Sequence, residues 1–175
     1  AMGAFQYEPA TSSLIHLLAD KAEEVREKTI LALTQIGSST VPDLLNAIEN
    51  KNQIVRRGTC VVLGRIADPI ASKKVSKRLS DKKEVRLAAI EALKQIGAEC
   101  IPDLVEATKH KDVKARTGAV EAAGDIGKQT GDIQAIRLLE AALNDKKEEV
   151  REKAANALLE IGLPSVQSLC RALIS

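Results

Sequence analysis

Five arginines set the frame of this chain. Arg26, Arg56, Arg86, Arg116 and Arg151 are separated by 30, 30, 30 and 35 residues, and each is followed ten positions later by an isoleucine: Ile36, Ile66, Ile96, Ile126 and Ile161. A glycine comes next at Gly37, Gly97, Gly127 and Gly162, with Ala67 the exception. A fixed period between about 20 and 50 residues marks stacked repeats, each too small to bury its own apolar surface. The clearest copy, Ser80 to Gly97, reads SDKKEVRLAAIEALKQIG.

Each unit reads as two helices, here termed A and B. In helix A the apolar positions fall one before the arginine and four, seven and ten after it, as in Val85, Ile90, Leu93 and Ile96. These offsets share one face of a 3.6-residue helix, and Thr29, Thr59, Ala89, Ala119 and Ala154 keep a small side chain on that face. The isoleucines are expected to form one continuous buried row. Asp20, Asn50, Ser80 and Asp145 are expected to cap helix A, with Glu23, Gln53 and Glu148 at capping-box spacing and His110 breaking the series. The glycine after the isoleucine ends the helix. Helix B opens on proline in Val41-Pro42-Asp43 and Ile101-Pro102-Asp103, where a missing N–H costs nothing. Its own stripe, such as Leu44, Leu45 and Ile48, needs a neighbouring pair to cover it. The fold class is therefore all-α, an α-solenoid of about five helical hairpins. The units run about 20–49, 50–79, 80–109, 110–144 and 145–175, after a half repeat at 13–19. Residues 1–12 are expected to be irregular, and Ala1 to Ala4 look like a cloning remnant. The fourth unit carries Gly118 and Gly124, a thin stripe of Ala115, Ala119 and Ala123, and an insertion near Lys128 to Asp132. It is expected to be the hinge.

Composition narrows the possible chemistry. One Phe, one Tyr and no Trp, with 45% apolar residues, describe a core of small aliphatic side chains. No apolar run reaches the roughly 18 to 20 residues of a membrane span, so membrane insertion is not expected and a cytoplasmic location is the default. Cys60, Cys100 and Cys170 are widely spaced and lack histidine at ligand spacing, so no metal or other cofactor is expected. Cys60 and Cys170 lie on apolar stripes, whereas Cys100 opens a B helix and is expected to be more accessible. Carboxylates such as Glu23, Glu24 and Glu27 lie beside lysines on helix exteriors, where solvated pairing explains them.

The pattern V-R-x-x-A-x-x-A-L-x-x-I-G at Val85-Arg86, Ala89, Ala92-Leu93 and Ile96-Gly97, followed by I-P-x-L, resembles the HEAT-like repeats of the kind also found in phycobilin lyase subunits. The resemblance covers residues 14 to 174 and implies a right-handed stack whose concave surface is the B row. It also implies that the arginines, with an acidic residue six positions earlier, form a ladder between repeats. Asp20 with Arg26 and Asp145 with Arg151 fit that ladder, whereas Arg56, Arg86 and Arg116 have Asn50, Ser80 and His110 at that place. Related hydroxylases carry His-Glu dipeptides as iron ligands, but here His16 precedes Leu17 and His110 precedes Lys111, which sets that activity aside.

Three functional readings follow. The first is a non-catalytic scaffold that binds another protein through Asp43, Asn46, Lys73, Lys74, Lys77, Arg78, Asp103, Glu106, Arg137 and Glu140 on the B helices. The second, carried by the resemblance, is a subunit of a bilin lyase-type complex. The third is binding of a nucleic-acid backbone by residues 73–86, which hold seven basic and two acidic residues, a net of +5 that leaves −3 for the remainder. Repeats without aromatics offer no base-stacking platform, so the nucleic-acid reading ranks below the scaffold.

Overall fold

A computed structural model describes residues 8–162. The second helix expected in the fifth unit, Cys170, Phe5 and Tyr7 lie outside the described residues. The described residues form α1 (Glu8–Leu17), α2 (Glu23–Ile36), α3 (Val41–Ala47), α4 (Gln53–Ile66), α5 (Ser72–Ser76), α6 (Lys83–Ile96), α7 (Ile101–Ala107), α8 (Val113–Thr130), α9 (Ile133–Ala142) and α10 (Glu148–Ile161), with no strand among them. The helix begins at Glu8, so residues 8–12, expected to be irregular, belong to α1.

The even-numbered helices α2 to α10 are the A helices and pack in sequence. The odd-numbered ones are the B helices, and each packs on the A helix that follows it. Between the rows run Leu33, Leu63, Leu93, Ala123 and Leu158, seven positions after each arginine and all fully buried. This is the continuous row. The isoleucines expected in that role are fully enclosed only at Ile96 and Ile126, whereas Ile36, Ile66 and Ile161 are half-buried. They stand in the last turn of their helices, at the margin of the layer.

The joints between A helices alternate in character. A methyl group on Gly64 would lie 2.6 Å from Ala92 Cα, and one on Gly124 would lie 2.7 Å from Ala157 Cβ. Glycine therefore lets α4 approach α6, and α8 approach α10, to backbone contact. At the equivalent register α2 carries Thr34 and α6 carries Lys94, so the joints α2/α4 and α6/α8 cannot close in this way. The same alternation governs the capping residues. Asn52 Oδ1 accepts from Ile54 N at 2.9 Å, and Asp112 Oδ1 accepts from Lys114 N at 2.9 Å, which caps α4 and α8. The expected caps Asp20, Asn50 and Asp145 instead accept from Ala22, Asn52 and Lys147 at 2.8 Å, closing a turn before the helix starts. Ser80 donates to Lys77 O.

The insertion after unit four does not lengthen a turn. It extends α8 through Gly127 to Thr130, and Gly131, with φ of +66°, provides the exit. Gly127 lies within that helix, and its lack of a side chain makes room for α10, since a methyl group there would lie 2.9 Å from Ile161 Cδ1. Far from being thinly packed, α8 buries an unbroken run from Ala115 to Val120. The looser packing therefore falls at the two open joints, α2/α4 and α6/α8, and not within the fourth unit's own helix.

Candidate partner-binding surface on the B row

The arginines act first on their own units. Arg26 Nη1 donates to Asp20 O at 2.8 Å, Arg56 to Asn50 O at 2.8 Å, Arg116 to His110 O at 3.0 Å and Arg151 to Asp145 O at 2.8 Å. Arg86 reaches Asp81 O at 3.1 Å. The residue six positions earlier thus contributes a carbonyl, which every residue type has, and the expected Asp20–Arg26 and Asp145–Arg151 carboxylate pairs are not formed. The carboxylate comes from the following repeat. Arg56 Nε and Nη2 donate to both oxygens of Asp81 at 2.8 and 2.7 Å, and Arg116 does the same to Asp145 at 2.7 and 3.0 Å.

Both bidentate pairs bridge the glycine-closed joints, α4/α6 and α8/α10. At the open joints the position of Asp81 is held by Lys51 and Lys111 and that of Asp145 by Asn50 and His110, so no carboxylate stands there for Arg26 or Arg86. For Asp81, burial alone pushes the carboxyl up, but the Arg56 hydrogen bonds, the Lys82 amide and the Arg56 and Arg78 charges outweigh it and hold it below its ordinary value. For Asp145 the Arg116 hydrogen bond is the largest influence and has the same result.

The B row carries the other predicted site residues. Asn46, Lys73, Lys77, Glu106 and Arg137 are exposed, while Asp43, Lys74, Arg78, Asp103 and Glu140 are half-buried. Five of these come together at one cleft of about 410 Å³ between α5 and α7, with Lys73, Lys77 and Arg78 on one side and Asp103 and Glu106 on the other. Asp43, Asn46, Arg137 and Glu140 lie elsewhere on the row. The cleft also takes in Ala107 of α7 and Ala115 of α8, which sequence reading passed over. A signal existed for Ala115, since Val25, Val55, Val85 and Val150 hold the same position in the other units. His110 also lines the cleft, and its Nδ1 accepts from Asp112 N at 3.1 Å.

Most charges around this cleft are already partnered. Lys74 Nζ donates to Leu45 O at 2.7 Å and pairs with Glu49 at 3.1 Å. Ser72 donates to the Asp103 carboxylate, Glu106 pairs with Lys109 at 2.7 Å, and Arg78 lies 3.6 Å from Asp81. Among the described residues, Lys73 and Lys77 have no carboxylate within ion-pair distance. On the A row a groove between α8 and α10 is rich in acids, but Glu121, Asp125 and Glu160 are held by Lys153, Lys94 and Lys128 at 2.6, 2.7 and 3.1 Å.

Cys60 and Cys100 lie away from these surfaces. Cys60 is buried as expected, and burial pushes its thiol up to about 12. Cys100 is also fully buried, contrary to expectation, because the turn before α7 folds inward and Sγ donates to Leu93 O at 3.4 Å. Burial likewise pushes its thiol up to about 12. Neither is a thiolate at neutral pH. Among the described residues no cluster of His, Cys, Asp and Glu could hold a metal ion, and no helix is long and apolar enough to cross a membrane.

The family model of HEAT repeats matches residues 11–94, 72–137 and 101–175. Among solved structures, the complex of CpcE and CpcF of phycocyanin lyase from Nostoc sp. PCC7120 is similar, with 20% identity, a TM-score of 0.62, and coverage of 85% of this chain and 98% of that one. A designed armadillo repeat protein in complex with the peptide (KR)4 gives 22% identity and a TM-score of 0.44, over 88% of this chain and 82% of that one. An engineered protein gives 22% and 0.45, over 87% and 81%. A comparison with curated proteins gives no match. At these identities the likeness concerns the fold.

Proposed function

The chain belongs to the HEAT repeats family, and from that premise we propose that it is a non-catalytic interaction module that holds a protein partner on its B row. The observation that carries this reading is the α5/α7 cleft, where two exposed lysines stand without carboxylate partners while the charges around them are satisfied internally. Its two walls, α5 and α7, belong to units two and three, whose A helices are locked by Gly64 against Ala92 and by Arg56 on Asp81, while His110 and Ala115 come from unit four. A surface mounted on a rigid block loses little conformational freedom when a partner docks.

Two alternatives have less support. A phosphate backbone would draw on the seven basic residues of 73–86, but Arg86 and Arg78 are engaged with Asp81, and Lys74 with Glu49 and the Leu45 carbonyl. A role in a bilin lyase-type complex draws on the likeness to the phycocyanin lyase proteins, and two protonated, buried thiols add nothing to it.

The test is capture from native lysate on the immobilised protein, with Lys73→Glu/Lys77→Glu and, as control, Leu31→Glu on the outer A face. Loss of the captured protein with the lysine variant alone supports the reading. Retention by both variants and by Asn46→Lys/Arg137→Glu on the same row, or loss only with Leu31→Glu, overturns it.

A further inference from the structure

We infer that the α5/α7 cleft takes an extended acidic segment of the partner, in which two carboxylates separated by one small apolar residue engage Lys73 and Lys77. This rests on the interaction reading above and names the chemistry of its central contact. Lys73 and Lys77 lie four residues apart on α5 and the 3-10 turn that continues it, so they rise about 6 Å along one face. In an extended chain, residues i and i+2 point the same way and are about 6.7 Å apart. Two acids at that spacing therefore match the two lysines.

The residue between the acids points the opposite way, toward α7. There Ala107, with Ala115 behind it on α8, leaves room for a small apolar side chain. Among the described residues that side of the cleft carries Asp103 and Glu106 and no free cation, with Glu106 already paired to Lys109, so nothing there favours a third carboxylate and an uncharged residue fits. The cleft's volume of about 410 Å³ suits a few side chains and lies in the range of ligand sites. Because both lysines are exposed, their contribution is to specificity and association rate more than to affinity, and salt weakens it. A nucleic-acid strand would bring its phosphates against Asp103 and Glu106 on the α7 side and would find no aromatic ring on which to stack.

The experiment uses the full chain with 13C-labelled alanine methyl groups. It is titrated with a short peptide carrying Glu-Val-Glu at its centre, with the Gln-Val-Gln counterpart, and with an oligothymidylate. The expected result is saturable movement of the Ala107 and Ala115 methyl signals with Glu-Val-Glu, about tenfold weaker with Gln-Val-Gln and with the Lys73→Gln/Lys77→Gln variant. Glu149→Gln on the A row leaves the titration unchanged. Equal binding of both peptides, tighter binding of the oligothymidylate, or no saturable shift overturns the inference. If capture of a native partner depends on Asn46 and Arg137 while Glu-Val-Glu moves no signal, the acidic segment is wrong and the interaction reading stands. If the peptide binds but no B-row substitution alters capture, the interaction reading falls and the cleft's specificity stands.

Discussion

Cutting the arginine link at one closed joint and comparing it with an open joint tests whether the alternation is energetic as well as geometric. In the Arg56–Asp81 pair both guanidinium nitrogens that face the carboxylate are engaged, at 2.8 and 2.7 Å, and the side chains are 12% and 9% exposed. Two charges about 4 Å apart attract by roughly 4 kcal/mol at an effective dielectric near 20, and desolvation of both opposes this. Asp81→Asn leaves Arg56 with the carbonyls of Asn50 and Lys51, so its charge is not stranded. The expected loss is therefore about 2 to 3 kcal/mol, at or below the usual cost of breaking a buried pair. A double-mutant cycle of Arg56→Met and Asp81→Asn, read by urea unfolding, should give a coupling of about 2 kcal/mol. The matching cycle of Arg26→Met and Lys51→Asn at the open α2/α4 joint should give under about 0.5 kcal/mol. Conversely, Lys111→Asp places a carboxylate where Arg86 has none across its joint and should stabilise by about 1 kcal/mol. Equal couplings at the two joints, or a coupling below about 0.5 kcal/mol at Arg56–Asp81, would refute the argument.

Gly124→Ala gains about 1 kcal/mol of helix propensity but sets a methyl group 2.7 Å from Ala157 Cβ, so a net loss of about 1 to 2 kcal/mol is expected in thermal unfolding; a gain would show that the joint is not close-packed. Asp81 and Asp145 sit below their ordinary value of 3.8, so their contribution is complete above that pH and disappears as pH falls through the depressed folded values. Urea midpoints should therefore drop below about pH 4, and the Asp81→Asn/Asp145→Asn variant should show a shallower drop; identical profiles count against the pairs. Backbone amides of α8 should exchange as slowly as those of α6, because its residues from Ala115 to Val120 are buried; faster exchange across Val113–Thr130 would restore the fourth unit as the hinge.

The repeat and both helices of each unit were legible because a 3.6-residue stripe and a 30-residue period are properties of single units. What escaped depends on how one unit meets the next. Arg56 shows its own cap acceptor six positions earlier, but Asp81 lies 25 residues ahead, and Arg116 reaches Asp145 at 29, a register no single copy displays. The alternation was also visible only on comparing alternate units: Gly64 and Gly124 recur, whereas Thr34 and Lys94 stand between them. Cys100 was misplaced because the turn before α7 was read as an exposed helix start, although its backbone folds toward Leu93. The candidate surface was read as ten separate residues. The structure gathers five of them around Ala107 and Ala115, the second of which looked, in sequence, like a weak point of its stripe.

The claim that the B row is the face on which a partner docks is tested most directly by site-specific photo-crosslinking in the native cell extract. A photoreactive residue replaces, one at a time, Asn46, Lys73, Lys77, Glu106 and Arg137 on the B row, and Leu31, Leu87 and Leu159 on the outer A face, all of which are exposed. The account predicts one protein adduct shared by the B-row positions, strongest at Lys73 and Lys77, and none from the three leucines. An adduct confined to the leucine positions, or nucleic acid at the lysine positions, would contradict it.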